Sequence, residues 1–400
     1  MKKILFIAPS SYPLYGAESI VNLKLLTALS QSGKFEIDLI SKKNKHSEYK
    51  GNSLEEMGIT LKGLHIVEVD NTINLRTLWG HFMSFLCFGV VFKGSHWAYY
   101  ALKVAKRLCR QNHYDYVLTK NSPSLLVGFY LKKHFRLKWA ATWNDPYPDY
   151  LYPEVYATFM HGKKDWASLS QIRIINKYVD VHIFPNNRLR DYLIKEYKVA
   201  TDKTQVIPHV VLNNDRIKKD SKHEILRIVH SGNVSFPRDP ESFFIGLRQF
   251  LNNHEDASIQ VDVIGVTDSK FKNKVSKYQL EDYVHNVGPL SYLDSLRSLS
   301  EYDVCLIIEA NVQNGLFLPT KVSDFMQMHM PIMTISPQNG VLHDLFVEHN
   351  IGYFANVGDP NIIENTIEQL YSDFRKGQLT PSVVPKNYKE EEVVFSYLQI

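Results

Sequence analysis

Residues 4–29 read ILFIAPSSYPLYGAESIVNLKLLTAL, and this stretch decides the fold class. The apolar run at 4–8 has the length of a buried β-strand. A loop with a single glycine, Gly16, follows it, and apolar residues then recur at helical spacing. A strand that leads through a glycine loop into a helix is typical of nucleotide-binding α/β domains. Neither usual glycine-rich phosphate motif is present, so the role of Gly16 has to be inferred from the rest of the chain.

The composition is that of an ordinary globular protein. The chain has 400 residues, of which 44% are hydrophobic and 22% charged, and its net charge is +4. This length predicts two domains, and the mild charge suits anionic substrates or an anionic membrane surface rather than nucleic acid. The three cysteines lack metal-ligand spacing and favour a reducing cytoplasm, where we expect the protein. Because Pro9 interrupts the first apolar run, we expect a strand there and not a signal peptide.

Short apolar runs alternate with helical patterns along both halves of the chain. In the first half, strands are predicted at 4–8, 36–40, 66–69, 116–119, 139–142 and 181–184. The pattern restarts near Ile225, with strands predicted at 227–230, 260–264, 284–287, 304–308, 332–335 and 352–355. This alternation predicts an α/β fold with two Rossmann-like, doubly wound domains facing across a cleft. The polar segment 213–223 fits a linker, so we predict domains at 1–212 and 213–387, with the tail 388–400 packing back on the first.

The first loop of the second half carries a cation beside a predicted helix start. Gly232 and Asn233 follow the strand, and Arg238 comes just before a helix with Asp239 as its predicted cap and Pro240 as its first residue. A cation at this place opposes the helix dipole, which makes sense if an anion binds there. A solvent-exposed loop arginine is the alternative interpretation.

A second helix start has the same feature. We predict a helix from Thr320, as its N-cap, to His329, with Lys321 in the first turn and Asp324 on the same face. One interpretation is an i,i+3 ion pair, which stabilises a helix by about 0.2–0.5 kcal/mol. The other is a phosphate held by Lys321 and backbone N–H groups, with Asp324 accepting hydrogen bonds from a ribose.

In the first half, a predicted strand leads into Trp-Asn-Asp-Pro at 143–146, followed by an aromatic, proline-rich loop. Asp145 therefore stands at the carboxyl end of a strand, where open α/β sheets bind ligands. Aromatic rings beside a carboxylate suit a sugar, because the rings stack on its C–H face and the carboxylate accepts from its hydroxyls. An Asp-Pro turn without a ligand is equally compatible with these residues.

Together these segments resemble the GT-B glycosyltransferases, in particular the retaining group-4 type that builds bacterial surface polysaccharides. The resemblance rests on the opening strand, loop and helix and on four short segments: WNDP at 143–146, VIPHVV at 206–211, HSGNVSFPRDPESF at 230–243 and TKVSDFMQMHMPIM at 320–333. It spans nearly the whole chain. It implies transfer of a sugar from a nucleotide-diphosphate donor to an acceptor hydroxyl, with retention and with neither a metal nor another cofactor.

The resemblance also implies roles for individual residues. The second domain would bind the donor with Gly232, Asn233, Arg238, Thr320, Lys321 and Asp324. Arg238 and Lys321 would stabilise the leaving diphosphate, and Asp145 would orient the acceptor or the sugar hydroxyls. Gly16 and Ala17 would bring backbone N–H groups of a helix start near the diphosphate or the transferred sugar, from across the cleft.

The chain departs from the family's pattern at two places. The family often carries two glutamates eight residues apart, whereas here the second position is Asp324 and the first is Leu316, with Glu309 the nearest upstream acid. The family's second basic phosphate ligand has three competing candidates, Lys270, Lys272 and Lys274. The Glu-Val-Asp run at 68–70 is interpreted as structural and not as a metal-binding Asp-x-Asp motif.

The run HFMSFLCFGVVF at 81–92 is apolar but too short to span a bilayer. One interpretation is a buried helical hairpin. The other is peripheral docking on anionic lipid at the inner face of the cell membrane, with the basic residues Lys103, Lys106, Arg107 and Arg110 on the headgroups. Docking would suit a polyprenyl-linked saccharide as the acceptor.

Two other functions remain open at this point. The first is a nucleotide-sugar 2-epimerase on the same fold, for which His209 and His230 are the candidate acid–base residues. The second is a non-catalytic subunit that binds sugar nucleotides without transferring the sugar.

Overall fold

The computed structural model of the chain describes residues 1–13, 16–44, 51–70, 72–213 and 224–400. Its strands are β1 Lys2–Ile7, β2 Phe35–Asn44, β3 Gly63–Val69, β4 Tyr116–Lys120, β5 Lys138–Thr142, β6 Val181–Phe184, β7 Thr204–Val206, β8 Leu226–Ser231, β9 Ile259–Ile264, β10 Val284–Asn286, β11 Val304–Ile308, β12 Ile332–Ser336 and β13 Gly352–Asn356. Apart from Asn213, the predicted linker 213–223 lies outside the described residues.

The helices of these residues include all those that the sequence pattern predicts. They are α1 Ala17–Gln31, α2 Leu75–Phe88, α3 Ser95–Gln111, α4 Ser124–Phe135, α5 Glu154–Phe159, α6 Trp166–Asn176, α7 Asn187–Tyr197, α8 Glu241–Asn253, α9 Ser269–Lys277, α10 Tyr292–Ser298, α11 Thr320–Gln327, α12 Val341–His349, α13 Pro360–Lys376 and α14 Glu390–Gln399.

Two parallel sheets organise the chain, as the alternating pattern predicts. The first has seven strands in the order β3-β2-β1-β4-β5-β6-β7, and the second has six in the order β10-β9-β8-β11-β12-β13. Their central strands are buried; the side chains at 4–8, for instance, have no exposed surface. Strands covered by helices on both faces need continuous apolar runs, which explains why periodicity alone located them.

The strand order defines where each sheet can bind a ligand. In the first sheet the order reverses between β1 and β4, and in the second between β8 and β11. Such a reversal opens a crevice outside the carboxyl ends of the two strands, because their connections leave toward opposite sides. The loops after β1, β4, β8 and β11 therefore form the walls of the two candidate crevices.

The chain divides into two units, each built on one sheet. The first comprises Met1–Leu151, Lys163–Leu212 and Asn387–Ile400, and the second comprises Tyr152–Gly162 and Asn213–Lys386. The C-terminal tail belongs to the first unit, where the Tyr116 hydroxyl donates a hydrogen bond to the Tyr397 carbonyl oxygen over 3.0 Å. The segment 152–162 differs from the predicted boundaries, which place it in the first domain. Aromatic contacts account for this placement, because Tyr152 and Tyr156 pack against Phe317.

Candidate functional site

The loop after β8 is shaped to admit a lysine side chain. Gly232 has a φ of 135°, a backbone conformation that L-residues rarely adopt. A Cβ atom at this position would lie 2.8 Å from Lys321 Nζ, so the lysine occupies the space that any other residue would fill. Gly265 leaves similar room for the Gly232 carbonyl, which would stand 2.3 Å from an added Cβ. Gly232 and the Lys321 side chain, both predicted from the sequence as site residues, therefore lie next to each other.

Lys321 and His230 form a pair at the reversal point of the second sheet. Lys321 Nζ lies 3.0 Å from His230 Nε2, and His230 is buried at the carboxyl end of β8. A lysine ammonium has only donors, so it can bond this nitrogen only if the imidazole is neutral there. Burial and the adjacent Lys321 and Arg238 cations hold the pKa of His230 well below its usual range, which keeps the ring neutral.

The same environment acts on the lysine. Burial, reinforced by the Arg238 cation, lowers the pKa of Lys321 to about 7, although Glu309 and Asp324 oppose the shift. At neutral pH such a lysine is only partly charged, and a nearby anion favours its protonated form. The pair is therefore suited to bind a diphosphate and to take up a proton in doing so.

Arg238 lies beside this pair and is held in place from two sides. Its Nε donates to Glu309 Oε1 over 3.2 Å, and its guanidinium lies 5.8 Å from the centre of the Tyr156 ring. Glu309, only 8% exposed, follows β11 and also accepts from the Tyr156 hydroxyl over 3.3 Å. The arginine side chain remains 39% exposed, so it is both oriented and accessible. The loop arginine of the alternative interpretation is thus partly exposed but has defined partners.

Asp324 is held by a tyrosine of α10. Its Oδ1 accepts a hydrogen bond from the Tyr292 hydroxyl over 2.8 Å, and both residues are buried. Lys321 Nζ lies beside His230 Nε2, and the Asp324 charge acts on the lysine by raising its pKa against the effect of burial. A ribose hydroxyl at Asp324 would have to share the carboxylate with Tyr292. The tyrosine fixes the rotamer of the carboxylate in advance.

The predicted helix caps are wrong by one residue. Helix α8 begins at Glu241 with Pro240 in the cap position, and Asp239 accepts from the Glu241 backbone N–H over 3.0 Å. Helix α11 begins at Thr320 with Pro319 as its cap, so Thr320 is the first helical residue and not the N-cap. Neither proline provides a side-chain acceptor, so at α11 no side chain caps the first backbone N–H groups.

The three competing lysines all lie in α9, and only one of them contacts the loop after β8. Lys274 bonds the carboxylates of Asp239 and Glu241 at the start of α8, whereas Lys270 and Lys272 are exposed. Lys274 thus holds the segment that follows Arg238. Asn233 also supports this loop, since its Oδ1 accepts from the Val266 N–H over 3.0 Å.

In the first unit, polar side chains meet at the carboxyl ends of β4 and β5. Asn144 Nδ2 donates to Glu18 Oε2 over 2.9 Å, and the Asn144 backbone N–H donates to Asn121 Oδ1 over the same distance. Glu18 stands in the first turn of α1, directly after Gly16 and Ala17. Sequence reasoning missed Glu18, although an acid in the first turn of the helix after the opening loop was a usable signal.

Two further buried groups belong to this part of the first unit. Burial lowers the pKa of Lys120, at the end of β4, to about 8, against the opposing effect of Glu18. Burial and the cations of Lys120 and Lys24 lower the pKa of His209 to about 3. Both ring nitrogens of His209 are buried without a hydrogen-bond partner among the described residues. Lys120 was also missed, because it ends an apolar strand.

The structure places Asp145 and Gly16 in this unit as well. Asp145 is half-buried, and its charge contributes to raising the pKa of the Tyr197 hydroxyl. That hydroxyl binds the backbone of Tyr147, which anchors the aromatic loop after Asp145. Gly16 precedes α1 in an extended conformation, and nothing lies within 4 Å of an added Cβ. The fold of this unit therefore does not require glycine at position 16.

The apolar run at 81–92 falls on α2 and the turn after it. As the first interpretation predicts, α2 packs on α3 as a hairpin; His81 Nδ1, for example, lies 2.9 Å from Ser95 Oγ. The expected burial is wrong, however, because the large side chains Trp79, Phe82, Phe85 and Leu86 are each more than half exposed. Among the described residues, no helix has both the length and the apolar content to cross a membrane.

No set of three His, Cys, Asp or Glu side chains within the described ranges is arranged to hold a metal ion. Asp70 of the Glu-Val-Asp run instead accepts hydrogen bonds from Thr72 and Asn74, which organises the start of α2.

Comparison with known proteins places the fold. No family model matches the sequence, and no curated protein does either. Among solved structures, sucrose-phosphate synthase from Thermosynechococcus elongatus superposes with a TM-score of 0.68 at 15% identity, over 100% of this chain and 98% of that one. HepE from Anabaena, in complex with UDP and glucose, gives 0.66 at 13% identity, over 100% and 99%. A UDP-N-acetylglucosamine 2-epimerase gives 0.57 at 13% identity, over 100% and 98%. The chain therefore has the GT-B fold, which the sequence resemblance predicts.

Proposed function

We propose that this protein is a glycosyltransferase that moves a sugar from a nucleotide-diphosphate donor to an acceptor hydroxyl. One observation carries the proposal: Lys321 and Arg238 stand beside Gly232 at the reversal point of the second sheet, each oriented by a buried partner. The start of α11 adds backbone N–H groups at the same place. Two cations and a helix start suit the two negative charges of a diphosphate.

The residues of the second unit can be assigned to parts of the donor. Lys321, Arg238 and the N–H groups of Thr320 and Lys321 would hold the diphosphate, and Gly232 would let its oxygens approach the backbone. Asp324, already oriented by Tyr292, would accept from the ribose. The complex of HepE with UDP and glucose supports a UDP-sugar as the first donor to test.

The chemical step follows from these charges. As the bond between the sugar and the diphosphate breaks, negative charge builds on the leaving oxygen. Arg238 and a protonated Lys321 lie where they would stabilise that charge, which is worth several kcal/mol per well-placed donor, about 2.7–4. We propose retention of the anomeric configuration, with the leaving phosphate accepting the acceptor's proton on the same face of the sugar.

We assign the acceptor to the first unit. Asp145 and the linked polar side chains of Glu18 and Asn144 lie at the carboxyl ends of its strands and offer acceptors for sugar hydroxyls. We propose that the acceptor is a lipid-linked saccharide of a surface-polysaccharide pathway and that the protein works at the inner face of the membrane. This part rests on the sequence resemblance.

A panel of UDP-, GDP- and ADP-sugars tests the donor proposal. We expect one nucleotide series to raise the midpoint of thermal unfolding by several degrees, since a ligand at 100 times its Kd adds about 2.7 kcal/mol of stability. Slow release of free sugar from the same donor should accompany it. If no nucleotide sugar shifts the midpoint, the proposal is wrong.

The epimerase likeness makes a nucleotide-sugar 2-epimerase the second candidate. That reaction needs groups that remove and return a proton, and the candidates named from the sequence, His209 and His230, are both buried. Both have a strongly lowered pKa, and His230 Nε2 is held by Lys321, which argues against a proton-shuttling role. Product analysis without acceptor separates the two: an epimerised donor supports the epimerase, and a hydrolysed donor supports the transferase. Binding without either product identifies a non-catalytic subunit.

Metal dependence gives an independent check of the mechanism. Because Lys321 and Arg238 provide the positive charge, we expect the rate of donor hydrolysis or transfer to change by less than roughly twofold in EDTA. Added Mg²⁺ or Mn²⁺ should not raise it. A rate that collapses in EDTA and returns with one divalent ion would refute the roles given to the two cations.

A further inference from the structure

Helix α2 has its large apolar side chains on the solvent side and small or polar side chains on the buried side, the reverse of what is usual in a globular domain. Its buried side chains are mainly small or polar, such as Thr77, Gly80 and Ser84. Gly80 lets the helix approach α3 closely, because an added Cβ would lie 2.9 Å from the His96 Cβ. The large apolar side chains face outward with 53–86% of their surface exposed, and they are Leu75, Leu78, Trp79, Phe82, Phe85 and Leu86. Single exposed leucines need no explanation, but six large apolar side chains on one 14-residue helix indicate an interaction surface.

Along the sequence, the charged residues of α2, α3 and the turn between them are all of one sign. The sequence from Asn71 to Tyr114 contains six lysines and arginines and no acid, which gives it a formal charge of +6. The whole chain has a charge of +4, so the remainder carries 4 − 6 = −2. The excess positive charge of the protein is thus concentrated on α2, α3 and the turn between them.

The cations and the apolar face belong to one continuous surface. Lys103, Lys106, Arg107 and Arg110 line a single hollow on α3. The Tyr100 ring joins this hollow to α2, because it lies under both the Arg76 guanidinium, at 5.0 Å, and the Lys103 ammonium, at 5.7 Å. The surface therefore passes from apolar side chains on α2 to cations on α3 without an acidic residue between them.

We infer that this surface docks on an anionic lipid membrane. Helix α2 would lie in the plane of the interface with its apolar face among the upper acyl chains, and the α3 cations would contact lipid phosphates. A tryptophan at the edge of the apolar face is typical of such helices, since its ring prefers the interface. A helix of 14 residues is about 21 Å long, shorter than the roughly 30 Å hydrocarbon core, so it can lie in the surface but not span it.

A second copy of the chain fits the surface less well. Two copies that met face to face through α2 would bring two sets of cations together, and neither α2 nor α3 contains an acid to neutralise them. An anionic membrane supplies both an apolar phase and the opposite charge. The inference does not depend on the proposed reaction, and its test measures binding alone.

Sedimentation with vesicles tests the inference on the full-length protein. We expect it to bind vesicles of phosphatidylcholine with about one third phosphatidylglycerol at least tenfold more tightly than vesicles of phosphatidylcholine alone. NaCl at 0.5 M should weaken this binding. The variant L78S/F82S/F85S should lose at least tenfold in binding. The control F395S removes an equally exposed phenylalanine from α14 of the same unit and should bind as the parent does.

Tryptophan fluorescence reports which face inserts. In a W166F background, Trp79 is the one exposed tryptophan, since Trp97, Trp139 and Trp143 are buried. We expect a blue shift with anionic vesicles and quenching by brominated lipid. A far-ultraviolet circular dichroism spectrum and a cooperative thermal unfolding transition like those of the parent confirm that L78S/F82S/F85S is folded. Vesicle binding that the triple variant retains would overturn the inference. An emission maximum of Trp79 that vesicles do not shift would also overturn it. The same holds if the parent does not bind vesicles but forms a dimer in solution, and the triple variant is a monomer.

Discussion

Replacing Lys321 by methionine should weaken binding of the nucleotide-sugar donor by about 100-fold. A charged hydrogen bond to phosphate contributes roughly 1.5–3 kcal/mol, and about 2.7 kcal/mol corresponds to that factor. Methionine fills the space beside Gly232 with a side chain of similar length but provides neither charge nor donor. The free protein should be at least as stable as the parent, because burying an ammonium costs solvation that methionine does not lose. Calorimetric titration with the donor measures the first effect and thermal unfolding the second.

The pH dependence makes this prediction specific to Lys321. Its pKa is about 7 in the free protein, and a bound diphosphate should raise it, because an adjacent anion favours the charged form. Binding then takes up a proton above pH 7, so donor affinity should fall as the pH rises from 7 to 8.5, by up to tenfold per unit. The diphosphate of a nucleotide sugar keeps both charges over this range. Below pH 7 the lysine is already charged, and the affinity should level off.

The matched control is Lys272→Met, which removes an exposed lysine of α9 that the sequence leaves as a candidate phosphate ligand. It should bind the donor within about twofold of the parent and keep the pH slope. The donor affinity of the Lys321→Met variant should not change between pH 7 and 8.5. If Lys272→Met loses the donor and Lys321→Met does not, the phosphate site lies on α9 and the assignment to α11 is wrong.

The local pattern of the sequence predicted the sheets and the two cations, but it could not predict their partners. Gly232, Arg238 and Lys321 stand at helix starts after strands, a signal that spans a few residues. The partners come from far along the chain: His230 is 91 residues from Lys321, and Tyr156 is 153 residues from Glu309. Such pairs depend on the strand order and on aromatic contacts between distant segments. Neither can be inferred from the sequence of a few neighbouring residues.

Helix α2 shows the same limit for surfaces. The apolar run at 81–92 predicted a helix but not which of its faces packs on the protein. Thr77, Gly80 and Ser84 turn inward because α3 approaches them closely, and the large side chains are left outside. Hydrophobicity alone assigns the opposite orientation. Which face of α2 is buried depends on the position of α3, and that position is known only from the tertiary structure.

Arg238→Met should lower the rate of transfer more than it lowers donor affinity. Its guanidinium is oriented by Glu309 and Tyr156, and charge on the leaving diphosphate grows only as the bond to the sugar breaks. An oriented donor of this kind accounts for a factor of about 10²–10³ in kcat, whereas ground-state binding should lose roughly tenfold. Steady-state kinetics of donor hydrolysis, or of transfer once an acceptor is in hand, gives kcat and KM separately.

The substitution leaves the buried Glu309 carboxylate without its cation, so a folding defect must be separated from a chemical one. In the double variant R238M/E309Q the carboxylate becomes a neutral amide that still accepts from Tyr156, which relieves the unpaired charge. If Arg238 stabilises the leaving group, the double variant regains thermal stability and stays as slow as R238M. Arg297→Met, at an exposed ion pair of the same unit, should retain the parent's kcat. A kcat that recovers in the double variant would mean that Arg238 acts by neutralising Glu309 and not by contacting the diphosphate.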